Sequence, residues 1–167
     1  MQKDYRFSYD YFESIDELQL ADRQLMEMAR KQTRLAYAPY SSFAVAAAGL
    51  LENGNIVLGT NQENASYPVG ICAERVLLST ISSIHPGVIL KKIAISYYNQ
   101  NGISDRPIAP CGMCRQALLE QQSRFNAPIE LLLSGQQGPV IQIMDALSLL
   151  PFNFSAMDMD TAIKSKL

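Results

Sequence analysis

The chain has 167 residues, of which 48% are hydrophobic and 18% are charged, a composition that suits a single well-buried domain and excludes wholesale disorder. Its formal net charge is -2 and no basic run is visible, which argues against nucleic acid as a partner and favours a small ligand. The polar start at residues 1–10 does not look like a secretory signal, and no apolar stretch approaches the length that spans a membrane.

The first predicted elements are an arm and a helix. Residues 1–15 have no clear hydrophobic period, which indicates an N-terminal arm or an added sheet edge. Ser14 and Glu17 then have the spacing of a capping box, although Asp22 is an equal candidate for the start of the helix. Apolar residues recur at helical spacing beyond this point, so one amphipathic helix is predicted to about Ala36.

The rest of the chain alternates strands with helices. Apolar runs predict five strands, at residues 43–51, 56–60, 93–98, 129–133 and 140–143. The pair Asn53-Gly54 is a strong hairpin signal between the first two strands. Helical spacing predicts two further helices, from about residue 72 and over about residues 112–124, and a partly helical end after residue 145. This order predicts one domain over residues 1–167, a three-layer α/β/α sandwich with a mixed, about five-stranded sheet.

All three cysteines of the chain stand in two short motifs at predicted loop-to-helix junctions. The motifs are Cys72-Ala73-Glu74-Arg75 and Pro110-Cys111-Gly112-Met113-Cys114-Arg115-Gln116. Thiolates at a helix start point to one side and are favoured by the helix dipole. Three protein ligands leave a fourth position for water, as in catalytic zinc sites. Alone, the pair Cys111 and Cys114 would also fit a redox pair or half of a structural zinc site, and Cys72 alone would fit a buried thiol. Together they predict one catalytic zinc ion per chain, bound by Cys72, Cys111 and Cys114.

Glu74 follows Cys72 by two residues, so it lies close to the predicted metal without having to bind it. A carboxylate there can accept a proton from the zinc-activated water and pass it to a substrate ring nitrogen and amine. This arrangement matches the motif of zinc-dependent nucleobase deaminases. Arg75 and Arg115 are placed to offset the negative charge of three thiolates, the alternative being ordinary surface arginines. The only histidine, His85, is predicted as an exposed turn residue rather than a ligand.

The chain resembles the cytidine deaminase family in its small homotetrameric form. The likeness runs from about residue 36 to residue 154 and is carried by residues 38–45, 61–68, 70–75, 110–116 and 149–154. The resemblance implies a zinc ion on the three cysteines and proton transfer by Glu74. Independently of the resemblance, three cysteines without a secretory signal argue against a disulfide framework and for reduced thiols in the cytoplasm.

The same resemblance implies a set of substrate-binding residues. Phe43 would stack on the base, Asn61 and Glu63 would bind the sugar hydroxyls, and Ala73 belongs to the same set. Phe154 would reach the base from a neighbouring subunit of the homotetramer. Without the resemblance, core packing explains the two phenylalanines equally well, and turn capping or a solvated charge explains the two polar residues.

The function implied is the hydrolytic deamination of cytidine and 2'-deoxycytidine to uridine and 2'-deoxyuridine, with release of ammonia, in pyrimidine salvage. The partner is then a small nucleoside, with no nucleic acid and no membrane. Two alternatives remain: a deaminase of another aminopyrimidine nucleoside, of the blasticidin type, and a zinc-stabilised binding protein without turnover. The loop at residues 61–64 favours plain nucleosides over the first alternative. Glu74 argues against the second, because a structural zinc site does not need that carboxylate.

Overall fold

The structure is a computed structural model that describes residues 1–159. Its helices and strands follow in the order β1 Asp10–Phe12, α1 Leu20–Gln32, β2 Phe43–Leu51, β3 Ile56–Thr60, α2 Ala73–Ile84, β4 Leu90–Asn99, α3 Gly112–Phe125, β5 Glu130–Ser134 and β6 Val140–Ile143. The predicted partly helical end contains the two 3-10 turns Ala146–Leu149 and Ala156–Met159, and its remainder, residues 160–167, lies outside the described residues. None of the helices within residues 1–159 has the length and apolar character needed to cross a bilayer.

The strands form one mixed sheet in the order β1-β6-β5-β4-β2-β3. Only β4 and β5 are parallel, and the other neighbouring pairs within the described residues are antiparallel. The predicted α/β sandwich with a mixed sheet is therefore confirmed, but the sheet has six strands rather than about five. The additional strand, β1, comes from the arm and pairs three residues with β6, with Tyr11 opposite Ile141. A strand of three residues is too short to show a hydrophobic period of its own.

Helices cover both faces of the sheet, and alternation along the strands divides the core in two. On β2, Ala47 packs with the cluster under α2 and α3, whereas Ala48 packs with the cluster under α1. This alternation follows from the two-residue period of a strand. Burial of each large apolar side chain in these clusters stabilises the fold by roughly 1.5–3 kcal/mol. The sheet therefore separates the molecule into an α1 face and an α2/α3 face.

The start of α1 differs from the predicted capping box. Ser14 Oγ does accept a hydrogen bond from the Asp16 amide at 3.1 Å, and the Glu17 carboxylate accepts one from the Glu13 amide at 3.1 Å. These reciprocal bonds close a 3-10 turn, and α1 begins later, at Leu20, with no side-chain cap. Helix α1 ends at Gln32, and the 3-10 turn Thr33–Leu35 follows it directly. The helical course therefore ends near the predicted position, Ala36.

A partly buried ion cluster joins α1 to the centre of the sheet. Lys92 Nζ of β4 lies 2.6 Å from Asp22 Oδ1 of α1 and 2.9 Å from Glu130 Oε2 of β5. Burial on its own lowers the pKa of Lys92, but the bonds to the two carboxylates outweigh it and hold the pKa above its ordinary value. Because the folded pKa is raised, the stabilisation from Lys92 is complete below about pH 10.4 and is lost at higher pH.

We expect Lys92→Met to lower the free energy of unfolding by about 3 kcal/mol at pH 7, because two carboxylates then lie close together without their cation. The matched control is Lys91→Met, whose side chain is exposed and should change stability by less than about 0.5 kcal/mol. Urea denaturation of both variants at one protein concentration measures the difference. Equal losses in the two variants would contradict a stabilising role for the cluster.

Candidate metal centre and active site

The first turns of α2 and α3 bring the three cysteines together. Cys72 is the N-cap residue of α2 and Cys111 is the N-cap residue of α3, while Cys114 lies in the first turn of α3. Cys114 is buried, Cys72 is partly buried and Cys111 is exposed. Both helices point their positive ends at the same cluster, which favours negative charge on the sulfurs.

The three Sγ atoms all lie within 4.8 Å of one another, with 3.8 Å between Cys72 and Cys111 and 3.5 Å between Cys111 and Cys114. Tetrahedral zinc with Zn–S bonds of about 2.3 Å requires sulfur separations of about 3.8 Å, so the cluster fits one zinc ion. Among residues 1–159, no fourth His, Cys, Asp or Glu joins the group. Three thiolate ligands leave one coordination position open, as a catalytic site requires.

The protons of the cluster are shared unevenly between the thiols. A hydrogen bond from Cys114 lowers the pKa of Cys72 to about 6, with Cys111 and the charge of Arg75 acting in the same direction against burial. The same bond, together with burial and the nearby Glu74 carboxylate, raises the pKa of Cys114 above its usual range. A divalent cation replaces the protons of such thiols when it binds.

Glu74 lies in the first turn of α2 with only 4% of its surface exposed. Burial raises the pKa of its carboxyl group, and the neighbouring Cys72 adds to this effect. Glu74 is not part of the thiol group that fits the metal. The structure therefore places a buried carboxylate beside the metal cluster, at the position that the motif predicts for it.

The two arginines of the motifs have different surroundings. Arg75 is close enough to Cys72 for its charge to help lower the pKa of that thiol. Arg115 instead donates from Nε to Pro110 O and from Nη1 to Leu149 O, each at 2.9 Å. It therefore ties the loop before Cys111 to the carboxyl-terminal segment. The structure records no hydrogen bond between Arg115 and a sulfur atom within residues 1–159.

Gly59 allows α2 to start close to the sheet. A Cβ atom at this position of β3 would lie 2.4 Å from Ala73 O and 2.7 Å from Leu77 N. Both are backbone atoms of α2, so any side chain here would push the helix start, and Cys72 with it, away from the sheet. His85 is the C-cap residue at the opposite end of this 12-residue helix, about 18 Å from its start, and its amide donates to Ile81 O. It is partly buried, whereas the sequence predicted an exposed residue.

Phe43, predicted to stack on a base, lies at the start of β2 on the α2/α3 face of the sheet. Its ring stacks on Tyr97 of β4, with the ring centroids 4.8 Å apart and the planes at 13°. Tyr97 was not identified from the sequence, because its contact with Phe43 depends on the register of β2 against β4. Tyr97 is 2% exposed, so it supports one face of the Phe43 ring from below.

The predicted sugar-binding residues hold the start of β2 in place. The Asn61 side chain accepts from Val45 N at 2.8 Å and donates to Phe43 O at 3.0 Å. The Glu63 carboxylate accepts from the Tyr40 amide at 2.8 Å and from the Ser41 hydroxyl at 2.5 Å. These bonds lower the pKa of Glu63, with the Ser41 hydroxyl as the largest cause.

Glu63 also lines a cavity of about 330 Å³, whose other walls are Tyr40, Ser41, Asn64, Tyr67 and Gly70. Neither the three thiols nor Glu74 lines this cavity.

The two remaining predicted substrate-binding residues, Phe154 and Ala73, do not line this cavity either. The Phe154 carbonyl accepts a hydrogen bond from Gln116 Nε2 of α3 at 2.8 Å, and Phe154 is 60% exposed. Ala73, also predicted as a substrate-binding residue, is fully buried at the first position of α2.

Three comparisons relate this chain to known proteins. A family model described as the cytidine and deoxycytidylate deaminase zinc-binding region matches residues 20–126. The cytidine deaminase of Halalkalibacterium halodurans is 37% identical over 141 residues, which cover 83% of this chain and 98% of that protein. The cytidine deaminase of Sporosarcina psychrophila is 34% identical over 139 residues, which cover 83% of this chain and 95% of that protein.

The solved structures that are similar to this chain are also cytidine deaminases. The crystal structure of cytidine deaminase from Burkholderia pseudomallei superposes with a TM-score of 0.67 at 38% identity, over 78% of this chain and 97% of that chain. The crystal structure of cytidine deaminase from Mycobacterium tuberculosis superposes with a TM-score of 0.63 at 29% identity, over 82% and 99% of the two chains. The family-model match at residues 20–126 contains all three cysteines.

We expect Cys111→Ser to lower the zinc content of the purified protein from about one ion per chain to well below half, because a two-thiolate site binds zinc far less tightly. Cys111 is the exposed member of the cluster, so the change removes little packing. Metal analysis of the variant beside Ser79→Ala, an exposed position further along α2, measures the effect. Full zinc occupancy in Cys111→Ser would contradict the three-thiolate site.

Proposed function

The chain belongs to the cytidine and deoxycytidylate deaminase family, and we propose that it catalyses the hydrolytic deamination of cytidine and 2'-deoxycytidine to uridine and 2'-deoxyuridine, with release of ammonia. The observation that carries this proposal is the convergence of three thiols and a buried carboxylate at two facing helix starts. Cys72, Cys111 and Cys114 would hold the zinc ion, which would act as a Lewis acid and lower the pKa of a water molecule towards neutrality.

Glu74 moves the protons in this proposal. It transfers the two protons of the attacking water in turn, the first to N3 of the pyrimidine and the second to the departing amine. The oxygen that remains becomes the C4 carbonyl of the product. Its position supports this role, because a carboxylate with 4% exposure exchanges protons with the substrate rather than with bulk water. Arg75 and the two helix starts reduce the excess negative charge of the thiolates, and we assign Arg115 the same effect at longer range.

The hydrogen bonds of Asn61 and Glu63 support a second role for each side chain, that of binding the sugar. Asn61 Nδ2 has two hydrogens and gives one to Phe43 O, so one remains for a ribose oxygen. Glu63 Oε1 accepts from Ser41, which leaves one lone pair for a ribose hydroxyl. We propose that Phe43 stacks on the base, and that Ala73 contributes through its backbone because its side chain is only a buried methyl group.

Alternatives from the sequence are less well supported. A blasticidin-type deaminase would share the zinc motifs, but the relatives in the comparisons are named cytidine deaminases. A zinc-stabilised binding protein has no use for a buried carboxylate beside an open coordination position. We further propose a role in pyrimidine salvage in the cytoplasm, where the three thiols remain reduced.

The test of the reaction is loss of nucleoside absorbance with release of ammonia, run with cytidine, deoxycytidine and cytosine on protein of known zinc content. We expect Glu74→Gln to lower kcat by about 10³, because general acid–base transfer is lost while the fold and the metal ligands remain. Glu120→Gln, an exposed carboxylate on α3, is the matched control and should retain full turnover.

Zinc content and thermal melting of both variants separate the possible roles of Glu74. Zinc content that fell together with turnover in Glu74→Gln would identify Glu74 as a ligand. Turnover that survived the substitution would overturn its role in proton transfer.

We also propose that the enzyme is a homotetramer in which each chain contributes Phe154 to a neighbouring active site. Support comes from the Phe154 ring, which is 60% exposed although Gln116 anchors its backbone to α3. An apolar ring held on the surface beside the helix that carries two of the cysteines is suited to packing against a second subunit.

We expect Phe154→Ala to lower kcat/KM at least about ten-fold, since an aromatic contact to a base is worth roughly 1–3 kcal/mol. Phe152→Ala removes a fully exposed ring two residues away and serves as the control. Mixed oligomers of Phe154→Ala and Glu74→Gln chains should be more active than either variant alone, because some sites then combine an intact Glu74 with a neighbour's intact Phe154. Mixed oligomers with no gain in activity would contradict the shared site.

A further inference from the structure

A second cavity lies on the α1 face of the sheet, opposite the metal centre. Its volume is about 490 Å³, within the range of small-molecule sites. Three alanines lie along it, at positions 36, 38 and 44, and their small side chains leave the space open. Tyr98 and Gln100, at the end of β4, form one side. The end of α1 and the 3-10 turn that follows it form the other.

This cavity is strongly positive, although the chain as a whole is acidic. Arg30, Lys31 and Arg34 line it, and no carboxylate does. Three of the 14 basic residues of a chain with net charge -2 therefore meet in one concave surface. Charges of one sign in a cleft with apolar walls concentrate the electrostatic field and attract ions of the opposite sign.

Arg30 is fixed at the inner end of this charge cluster. Its Nε donates to Gly135 O at 2.9 Å and its Nη2 donates to Ser134 Oγ at 3.0 Å. Within residues 1–159, none of the ion pairs involves Arg30. Burial lowers its pKa, and the charges of Glu27 and Asp16 oppose this effect without forming an ion pair with it. Its guanidinium group is thus held in place by neutral hydrogen-bond partners, and neither of these carboxylates lines the cavity.

The polar side chains around Arg30 are held in place by a network of hydrogen bonds. Gln136 Nε2 lies 3.2 Å from Tyr97 O and 3.3 Å from both Arg30 O and Thr33 Oγ1. Ser96 Oγ donates to Gly135 O at 3.1 Å, so the carbonyl that receives Arg30 is itself fixed. An alternative explanation for the basic residues is that they complement the helix dipole at the end of α1. That effect requires neither a cavity nor the hydrogen bonds around Arg30.

We propose that this cavity binds a small phosphorylated ligand, with its phosphate groups against Lys31, Arg34 and the inner Arg30. Guanidinium and ammonium groups give phosphate oxygens strong, charge-assisted hydrogen bonds. Tyr98 has a side chain that is 49% exposed, which offers a surface for stacking a flat ring. A nucleotide combines these two features at a size that fits the volume. The site is separate from the proposed catalytic centre, which takes an uncharged nucleoside on the opposite face.

Isothermal titration of the zinc-loaded protein with ADP tests this proposal, with adenosine as the ligand that lacks phosphate. We expect saturable binding of about one ADP per chain and no saturable binding of adenosine at the same concentrations. The double variant Lys31→Gln/Arg34→Gln should weaken ADP binding at least about ten-fold, because two charge-assisted contacts are lost.

The matched control is Lys91→Gln/Arg124→Gln, which removes two exposed charges outside the cavity, one of them at the end of α3. It should change ADP binding less than about two-fold, apart from general charge effects. Gln100→Glu places a negative charge at the exposed side of the cavity without touching α1, and it should also weaken binding.

Absence of saturable ADP binding to the wild-type protein would overturn the proposal. So would equal weakening in the two double variants, which would indicate only nonspecific attraction to positive charge. ADP binding that is unchanged in Lys31→Gln/Arg34→Gln would place the nucleotide at another site, such as the zinc. Adenosine that binds as tightly as ADP would exclude the phosphate as the recognised group.

Discussion

The metal cluster depends on the close approach of two helix N-termini. Cys72 and Cys111 cap α2 and α3, and the sulfur atoms of these two residues lie 3.8 Å apart. Sulfur atoms that carry negative charge repel one another at this separation, so the arrangement depends on positive ends of helices, nearby cations and a metal ion. The absence of a side chain at Gly59 permits the close approach of α2. Arg115 fixes the approach of α3 through Pro110 O and Leu149 O.

The contacts at the start of β2 hold Phe43 in place. Asn61 bonds to the backbone on both sides of Ala44, and Glu63 bonds to the turn before Phe43. Tyr97 then supports the Phe43 ring at 4.8 Å. Two polar side chains and one aromatic ring thus fix the position of a single phenylalanine. Such rigidity lowers the entropy lost when a flat ligand stacks on Phe43.

Two short motifs, taken together as the pattern of zinc deaminases, predicted the metal cluster but not its surroundings. The spacing of Cys111 and Cys114 is a property of one helix turn, so the sequence predicts it directly. The strand β4 was predicted too short because Lys92 broke its apolar run, and only the folded ion cluster explains a partly buried lysine there. An added sheet edge was one of two alternatives for residues 1–15, and β1 confirms it. The partner of β1 and the Phe43–Tyr97 contact depend on pairing between distant segments, which no local period records. The register between distant strands, and the side-chain contacts that follow from it, could therefore not be predicted from the sequence.

The two faces of the sheet share their strand ends, and this links the Phe43–Tyr97 ring stack to the basic cavity. Ala44 pairs with Tyr98 in the same ladder in which Phe43 pairs with Asn99. Tyr98 lines the basic cavity, whereas the adjacent Tyr97 supports Phe43 on the opposite face. Interiors packed to crystal density transmit small displacements rather than absorbing them. A ligand that moved the end of β4 on the α1 face would therefore also move the ring stack on the α2/α3 face, through backbone that both surfaces share.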